Sequence, residues 1–372
     1  MKVMFDHQIF VVQAYGGYSK YYVALARALR TLPGIQTDIV APAHVNEYLL
    51  PSDSHNGITF RLRHLRRGLK YRPLLTAPLV RASAVWCRPD IVHETHSILR
   101  GGHLPRGIPV MATCHDMTPE RLANGSPASR AAIANRRLAF ERAAGIVCIS
   151  DNTRTDLLRF YPQLESRISV VHHGVDKVQP LASLAQPLPP HFLLFVGMRS
   201  GYKNFANALR ALGASALARG ECHLLCFGGG PLTPAERQRC ADAGLRADQV
   251  SQLSGDDAVL AYLYQHAAAL IYPSLYEGFG MPLTEAMVQG CPVLCSQASC
   301  FPEICGDAAL YFDPNDTESM RQAIDQVLGD TACRDELIRR GHQRVAAFTW
   351  QACAAGTALA YERALASAGP HH

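Results

Sequence analysis

Short, wholly apolar runs alternate with helix-period segments along most of this chain, and that alternation decides its fold class before any single motif is read. "HQIFVV" (7–12) reads as a strand, and "GGYSKYYVALARALRTL" (16–32) as the helix after it, with Tyr22, Leu25 and Leu29 on one face. "QTDIVAP", "DIVHE", "PVMATCHD" and "GIVCIS" read as further buried strands, and "DNTRTDLLRFY" after the last of them opens a helix on a polar cap. Apolar strands joined by helices form a parallel sheet covered on both faces.

The rhythm stops once. Asp176 to Phe192, "DKVQPLASLAQPLPPHF", holds four prolines and no period, as an interdomain linker does. It resumes with "FLLFVG", the helix "YKNFANALRAL", "HLLCFGGG", "ALIYPS", the helix "PLTEAMVQG" and "PVLCS". The expectation is an α/β chain of two doubly wound, Rossmann-like domains, over 1–178 and 190–348, with a closing Ala-rich helix near 351–368 packing back on the first. The length of 372 residues suits two domains. In open parallel sheets ligands bind outside the strands' carboxyl ends, so the expected site is a central cleft faced by both domains.

Composition narrows the partners. With 48% hydrophobic and 18% charged residues the chain builds cores, and a formal net charge of +5 gives no reason to expect nucleic acid. The twelve cysteines are scattered, several in apolar runs, and read as buried thiols of a reducing compartment. Cys291, Cys295, Cys300 and Cys305 cluster without the CxxC spacing of a zinc site. No apolar run reaches the roughly 20 residues of a membrane span, and the first residues lack a secretory h-region. A cytoplasmic location is expected.

Four segments at strand ends carry chemistry. Gly16 and Gly17 open a helix, where exposed amides bind anions and glycine lets a phosphate approach. "GMRSGYKN" places Arg199 and Lys203 after a buried strand, two cations suited to a diphosphate. His115 ends an apolar strand beside Asp116, placed to meet a substrate hydroxyl or move a proton. "PSLYEGFGMPLTEAMVQGCPV" flanks a glycine loop with Glu277 and Glu285; Pro282 suits the first turn of a helix, Gly290 its end, and Glu285 is expected in the first turn. Carboxylates repel phosphates, so these two should hold hydroxyls: Glu285 a ribose, Glu277 a sugar. The implied ligand is a nucleotide sugar.

These residues resemble glycosyltransferase family 4, a retaining family with the GT-B fold. "YEGFGMPLTEAM" is similar to its E-x7-E signature, and "DHQIF…YGGYSKYYVALARAL", "HDM", "FVGMRSGYKNF", "FGGGP" and "FPEICGDAALYFDP" follow the family's order over nearly the whole chain. The resemblance implies that Gly16 and Gly17 approach the donor phosphates and His115 meets the donor sugar. It also implies that Arg199 and Lys203 neutralise the leaving diphosphate. Glu277 would contact the transferred sugar, the amides of Gly278, Phe279, Gly280 and Met281 would surround sugar and phosphate, and Glu285 would take the ribose. Two departures stand out: many relatives have arginine where this chain has Met198, and arginine where it has Lys20. No cofactor and no metal is expected, since the cleft loops carry no DxD motif. Retention could run through a covalent Glu277 adduct or by front-face attack within an ion pair, the latter being the family's favoured view.

The likeness is to bacterial mannosyltransferase-like members that build O-antigen, capsule or exopolysaccharide. It implies a GDP-mannose or GDP-deoxyhexose donor and a glycan acceptor on a lipid carrier. A UDP-sugar-dependent enzyme of the same fold, an epimerase or hydrolase, and a non-catalytic nucleotide-sugar-binding subunit are the alternatives. "RLRHLRRGLKYR", Arg61 to Arg72, interleaves six cations with leucines, and such a segment can rest on an anionic membrane. Contact at the inner face of the cytoplasmic membrane is therefore expected. "HETH" (93–96) is not HExxH, and a strand end sends neighbouring side chains to opposite faces, so no metal is expected there.

Overall fold

A computed structural model describes residues 1–53, 60–61, 72–99, 103–123, 125–184, 187–199 and 201–368. The chain divides into two compact units, Met1–Gly174 with Trp350–His372, and Val175–Thr349.

The first unit runs β1 (Lys2–Phe5), α1 (Gln8–Val12), α2 (Gly17–Leu29), β2 (Gln36–Ile39), β3 (Ala43–His44), β4 (Phe60–Arg61) and α3 (Arg72–Cys87). It continues through β5 (Ile91–Glu94), β6 (Val110–Cys114), α4 (Thr118–Arg121), α5 (Pro127–Arg142), β7 (Gly145–Cys148), α6 (Asp151–Phe160) and β8 (Ile168–Val170). Six strands form one parallel sheet in the order β2-β1-β5-β6-β7-β8. β1 pairs Phe5 with Ile39 on one side and with His93 on the other. The order reverses between β1 and β5, which makes their carboxyl ends the switch point where such sheets bind ligands.

One strand assignment is corrected. The first strand is "KVMF", and "HQIFVV" supplies the helix α1. An apolar run of four has no period of its own, so a buried helix and a buried strand look alike. What ends the strand is Asp6, whose carboxylate accepts from the Thr95 backbone N–H at 2.9 Å and the Gln8 side chain at 2.7 Å.

The second unit runs β9 (Phe192–Val196), α7 (Phe205–Ala214), α8 (Ala216–Glu221), β10 (His223–Phe227), α9 (Pro234–Asp242), β11 (Val250–Leu253), α10 (Asp257–His266) and β12 (Ala269–Tyr272). After these come α11 (Met281–Val288), β13 (Val293–Ser296), α12 (Phe301–Cys305), β14 (Leu310–Phe312), α13 (Thr317–Gly329) and α14 (Thr331–Val345). Its six parallel strands lie in the order β11-β10-β9-β12-β13-β14, so the switch point falls between β9 and β12. Every residue of β9, β12 and β13 is buried, as strands covered on both faces must be. The described residues from Val175 to β9 form neither helix nor strand.

The closing helix α15 (Trp350–Ala368) belongs to the first unit, where Cys353, Ala354, Tyr361 and Ala364 join the core of α2, β1 and β7. Small residues let it close in: a Cβ on Gly145 would lie 3.0 Å from Ala364 Cβ, and one on Gly174 would lie 2.4 Å from the Trp350 nitrogen. All twelve cysteines are free thiols, and all but Cys87 and Cys333 are buried.

α7 packs as closely. A Cβ on Gly213 would sit 1.8 Å from the Ala243 carbonyl oxygen, a backbone atom that cannot swing away. Gly213→Ala is expected to destabilise the protein by about 2–4 kcal/mol in urea unfolding, despite alanine's better helix propensity.

Candidate functional site

In the second unit the two loops that leave the switch point bring opposite charges together. Lys203 ends a short turn (Gly201–Lys203) after β9, and Glu277 lies in the loop after β12. Lys203 Nζ is 2.6 Å from Glu277 Oε1, with side-chain exposures of 14% and 15%. Tyr272, the last residue of β12, lies 3.4 Å from the ammonium, and burial followed by the nearby Glu277 raises its hydroxyl pKa well above the ordinary value. The loop around Glu277 is pinned from the next crossover. Glu277 N–H donates to Ser299 Oγ at 3.2 Å, Ser299 Oγ donates to the Glu277 carbonyl at 2.6 Å, and Cys300 Sγ lies 3.3 Å from that carbonyl. Ser299 holds a left-handed φ of +54°, which a serine adopts at a cost of about 1–3 kcal/mol when its surroundings demand it. Nothing in the sequence of this loop marks Ser299.

The glycine loop then starts α11. Gly280 is its N-cap at φ +85°, and a Cβ there would meet Leu283 Cδ1 at 2.8 Å. Pro282 lies in the first turn and Gly290, at φ +76°, follows the end. Gly278 is buried and Met281 half-buried. The ring of Phe279 is buried edge-on to Phe348, 5.7 Å between centroids, so it offers a ligand its backbone rather than its ring. Glu285 is the fifth residue of α11, not in its first turn, which removes the helix-dipole explanation for it. It is half-buried, and the Tyr264 hydroxyl donates to its Oε2 at 3.4 Å.

Arg199 departs from the expected diphosphate fork. It is 5% exposed and turned into the protein. Nε donates to Glu236 Oε1 at 2.9 Å, Nη1 to the Gly228 carbonyl at 3.0 Å, and Nη2 to the carbonyls of Gly230 at 2.8 Å and Pro231 at 3.1 Å. Gly228, Gly229 and Gly230 all have positive φ, and a Cβ on Gly229 would meet Arg199 Nη1 at 2.9 Å. Glu236 closes the capping box of α9 with Thr233. Burial alone would raise its pKa, but hydrogen bonds from Thr233 and Arg199 outweigh this and hold it below the ordinary value. With its donors committed to the glycine loop, Arg199 shapes that loop instead of meeting a ligand.

In the first unit, Gly16 caps α2 and Gly17 begins it. The helix start is partly occupied: Ser19 N–H donates to Gln13 Oε1 at 2.9 Å, and a Cβ on Gly16 would collide with that side chain. Lys20 is half-buried on α2. His115 follows β6, stacked on Tyr18 at 4.0 Å between centroids. The Tyr22 hydroxyl lies 3.3 Å from the Glu94 carbonyl and 3.1 Å from His115 Nε2. His115 Nδ1 is buried without a hydrogen-bond partner. Burial first, and His173 next, lower the His115 pKa well below its ordinary value, so the ring is neutral. It lines a cavity of about 50 Å3 with Tyr18, Tyr22, Thr95, His96 and Arg136, room for a few waters or one hydroxyl group but not a hexose.

"HETH" splits as a strand end should. His93 hydrogen-bonds the hydroxyls of Tyr361 on α15 and Thr113 on β6, both at 2.7 Å. Glu94 pairs with Arg142. Ligand-type atoms of Asp6, Glu94 and His103 lie within 4.8 Å of one another, but Asp6 is already held by His103 at 2.9 Å and by Gln8 and Thr95. Burial, opposed by Arg142 and reinforced by Asp6, raises the Glu94 pKa to about 7. The basic segment Arg61–Arg72 lies outside the described residues apart from the backbone of its two end residues.

Glu94 gives a pH signature. Its folded pKa is above its unfolded value, so its contribution is full below pH about 4.5 and is lost as pH rises through about 7. Glu94→Gln is expected to flatten a fall of up to roughly 3 kcal/mol over that window, read from urea unfolding at a series of pH values.

Comparison with known proteins follows the two units. Residues 15–179 match the family model described as Glycosyltransferase Family 4, and residues 181–344 match that of the Glycosyl transferases group 1. O-antigen chain mannosyltransferase B of Escherichia coli is 29% identical over 265 residues, covering 68% of this chain and 70% of that protein. The serotype-specific mannosyltransferase WbdA of Escherichia coli is 28% identical over 290 residues, 70% of this chain but 35% of its own length, so the chain spans about a third of that relative. Sucrose-phosphate synthase from Thermosynechococcus elongatus superposes with a TM-score of 0.74 at 21% identity, covering 98% of this chain and 99% of that one. That likeness concerns the fold, which is GT-B.

Proposed function

This chain belongs to the GT-B glycosyltransferases, on their mannosyltransferase-like branch, and from that premise we propose that it transfers a hexose, with retention, from a nucleoside-diphosphate sugar to a lipid-linked glycan. GDP-mannose or a GDP-linked deoxyhexose is the donor favoured by the likeness to O-antigen mannosyltransferases. The reading rests on one observation above the others: Lys203 and Glu277 paired at 2.6 Å, at the switch point of the second unit and beside the start of α11.

The chemistry asks for that pair. The bond between the sugar's anomeric carbon and the diphosphate breaks with its electrons leaving on phosphate, and the sugar becomes oxocarbenium-like. Lys203 and the amides at the start of α11 neutralise the departing charge. The Glu277 carboxylate accepts from sugar hydroxyls and stabilises the cationic ring. The acceptor oxygen attacks from the face the diphosphate leaves, and its proton passes to a phosphate oxygen. Glu285 takes the ribose. No metal is needed, because these groups supply the positive charge and the loops carry no DxD motif.

Lys203 and Arg199 should separate in their effects. Lys203→Ala is expected to lower kcat about 10²- to 10³-fold. Arg199→Ala is expected to lower the melting temperature and raise the donor KM, because it releases the carbonyls of Gly228, Gly230 and Pro231 and leaves Glu236 without its cation. Steady-state kinetics and calorimetry on both variants check this.

The decisive test is incubation with a panel of GDP- and UDP-sugars and a lipid-linked acceptor, with the product anomer assigned by NMR. Retention from a GDP-sugar, undiminished by EDTA, is expected. Binding of no nucleotide sugar would overturn the reading, a UDP-sugar would correct the donor, and a trapped adduct on Glu277 would replace front-face attack by covalent catalysis.

A further inference from the structure

α3 is apolar on two opposite sides. Its inward side, through Val80 and Ala84, is fully buried against Met4, Val40, Val92 and Val110. Its outward side carries Leu74, Leu75, Leu79, Val85 and Trp86, with exposures of 61, 77, 56, 60 and 84%. At about 100° per residue, Leu75, Leu79 and Trp86 share one stripe and Leu74 and Val85 flank it. A helix seated on a globular core turns a polar face to water. This one turns a leucine and tryptophan face outward, with Arg81 at its border.

Charge says what covers it. No Asp or Glu occurs between Asp53 and Asp90, while that stretch holds eight arginines and lysines: Arg61, Arg63, Arg66, Arg67, Lys70, Arg72, Arg81 and Arg88. A second copy of the chain would bring the same cations against themselves. An anionic lipid surface offers both the charge and the apolar depth that this stretch calls for. Among the described residues no helix is long and apolar enough to cross a membrane, so the contact would lie along the surface.

We propose that the outward face of α3 docks on anionic lipid, with Leu75, Leu79 and Trp86 entering below the headgroups. The proposal rests on the reading that the acceptor is lipid-linked, and it adds the face that meets the membrane and how that face is built.

The chain reports on this contact itself. It has two tryptophans, and Trp350 is 7% exposed in the core of the first unit, so a change of emission on adding lipid belongs to Trp86. Vesicles of phosphatidylcholine with phosphatidylglycerol are expected to shift the emission to the blue, and vesicles of phosphatidylcholine alone to shift it little. Trp86→Phe should abolish the shift and keep co-sedimentation. Leu75→Ser with Leu79→Ser and Trp86→Ser should weaken co-sedimentation about tenfold or more, and high salt should weaken it only in part. Donor-sugar hydrolysis without vesicles should be unchanged in the triple variant; hydrolysis absent even from the wild type would count against the proposed function and leave the lipid measurement standing. The docking proposal is overturned by any of three results: no blue shift with anionic vesicles, wild-type sedimentation by the triple variant, or a dimer in solution that the triple variant disperses.

Discussion

A parallel sheet covered on both faces has one place to do chemistry, the carboxyl ends of its strands where the strand order reverses. Both units of this glycosyltransferase obey that constraint. In the first, the reversal lies between β1 and β5; in the second, between β9 and β12. Lys203 and Glu277 come from the loops after β9 and β12, 74 residues apart in sequence and 2.6 Å apart in space. The strands behind them are fully buried, so the backbone that carries the pair has little freedom to move.

The two units differ in electrostatic character. Around Lys203 an ion pair with Glu277 is partly exposed to water. Around His115 a neutral imidazole lies among Tyr18, Tyr21 and Tyr22, all with hydroxyl pKa values raised by burial, and Arg136 lines the same cavity.

β5, β7, β9, β12 and β13 were readable from the sequence because each is a short, fully buried run, whereas β8 and β11, partly exposed, carried no such signal; the caps of α11 were readable because Pro282 and Gly290 have one comfortable place each. What was not readable depends on direction. Arg199 stands one residue beyond a position that would face outward, and its guanidinium turns to Glu236, 37 residues away. The run "HQIFVV" is a helix because Asp6 ends the strand, and Asp6 does so through Thr95. Ser299 grips Glu277 through a left-handed backbone that serine does not advertise. In each case the deciding partner is remote in sequence and leaves no local pattern.

The return of α15 to the first unit has a consequence for synthesis. Tyr361 hydrogen-bonds His93 in the middle of the first sheet, and Trp350 abuts Gly174. The first unit to leave the ribosome therefore lacks part of its own core until residues 350–368 are made, whereas the second unit is complete at Thr349. The second half can finish folding while the first still waits, an order opposite to that of translation. Until residues 350–368 are made, the nascent chain shows water the apolar seat that α15 will fill.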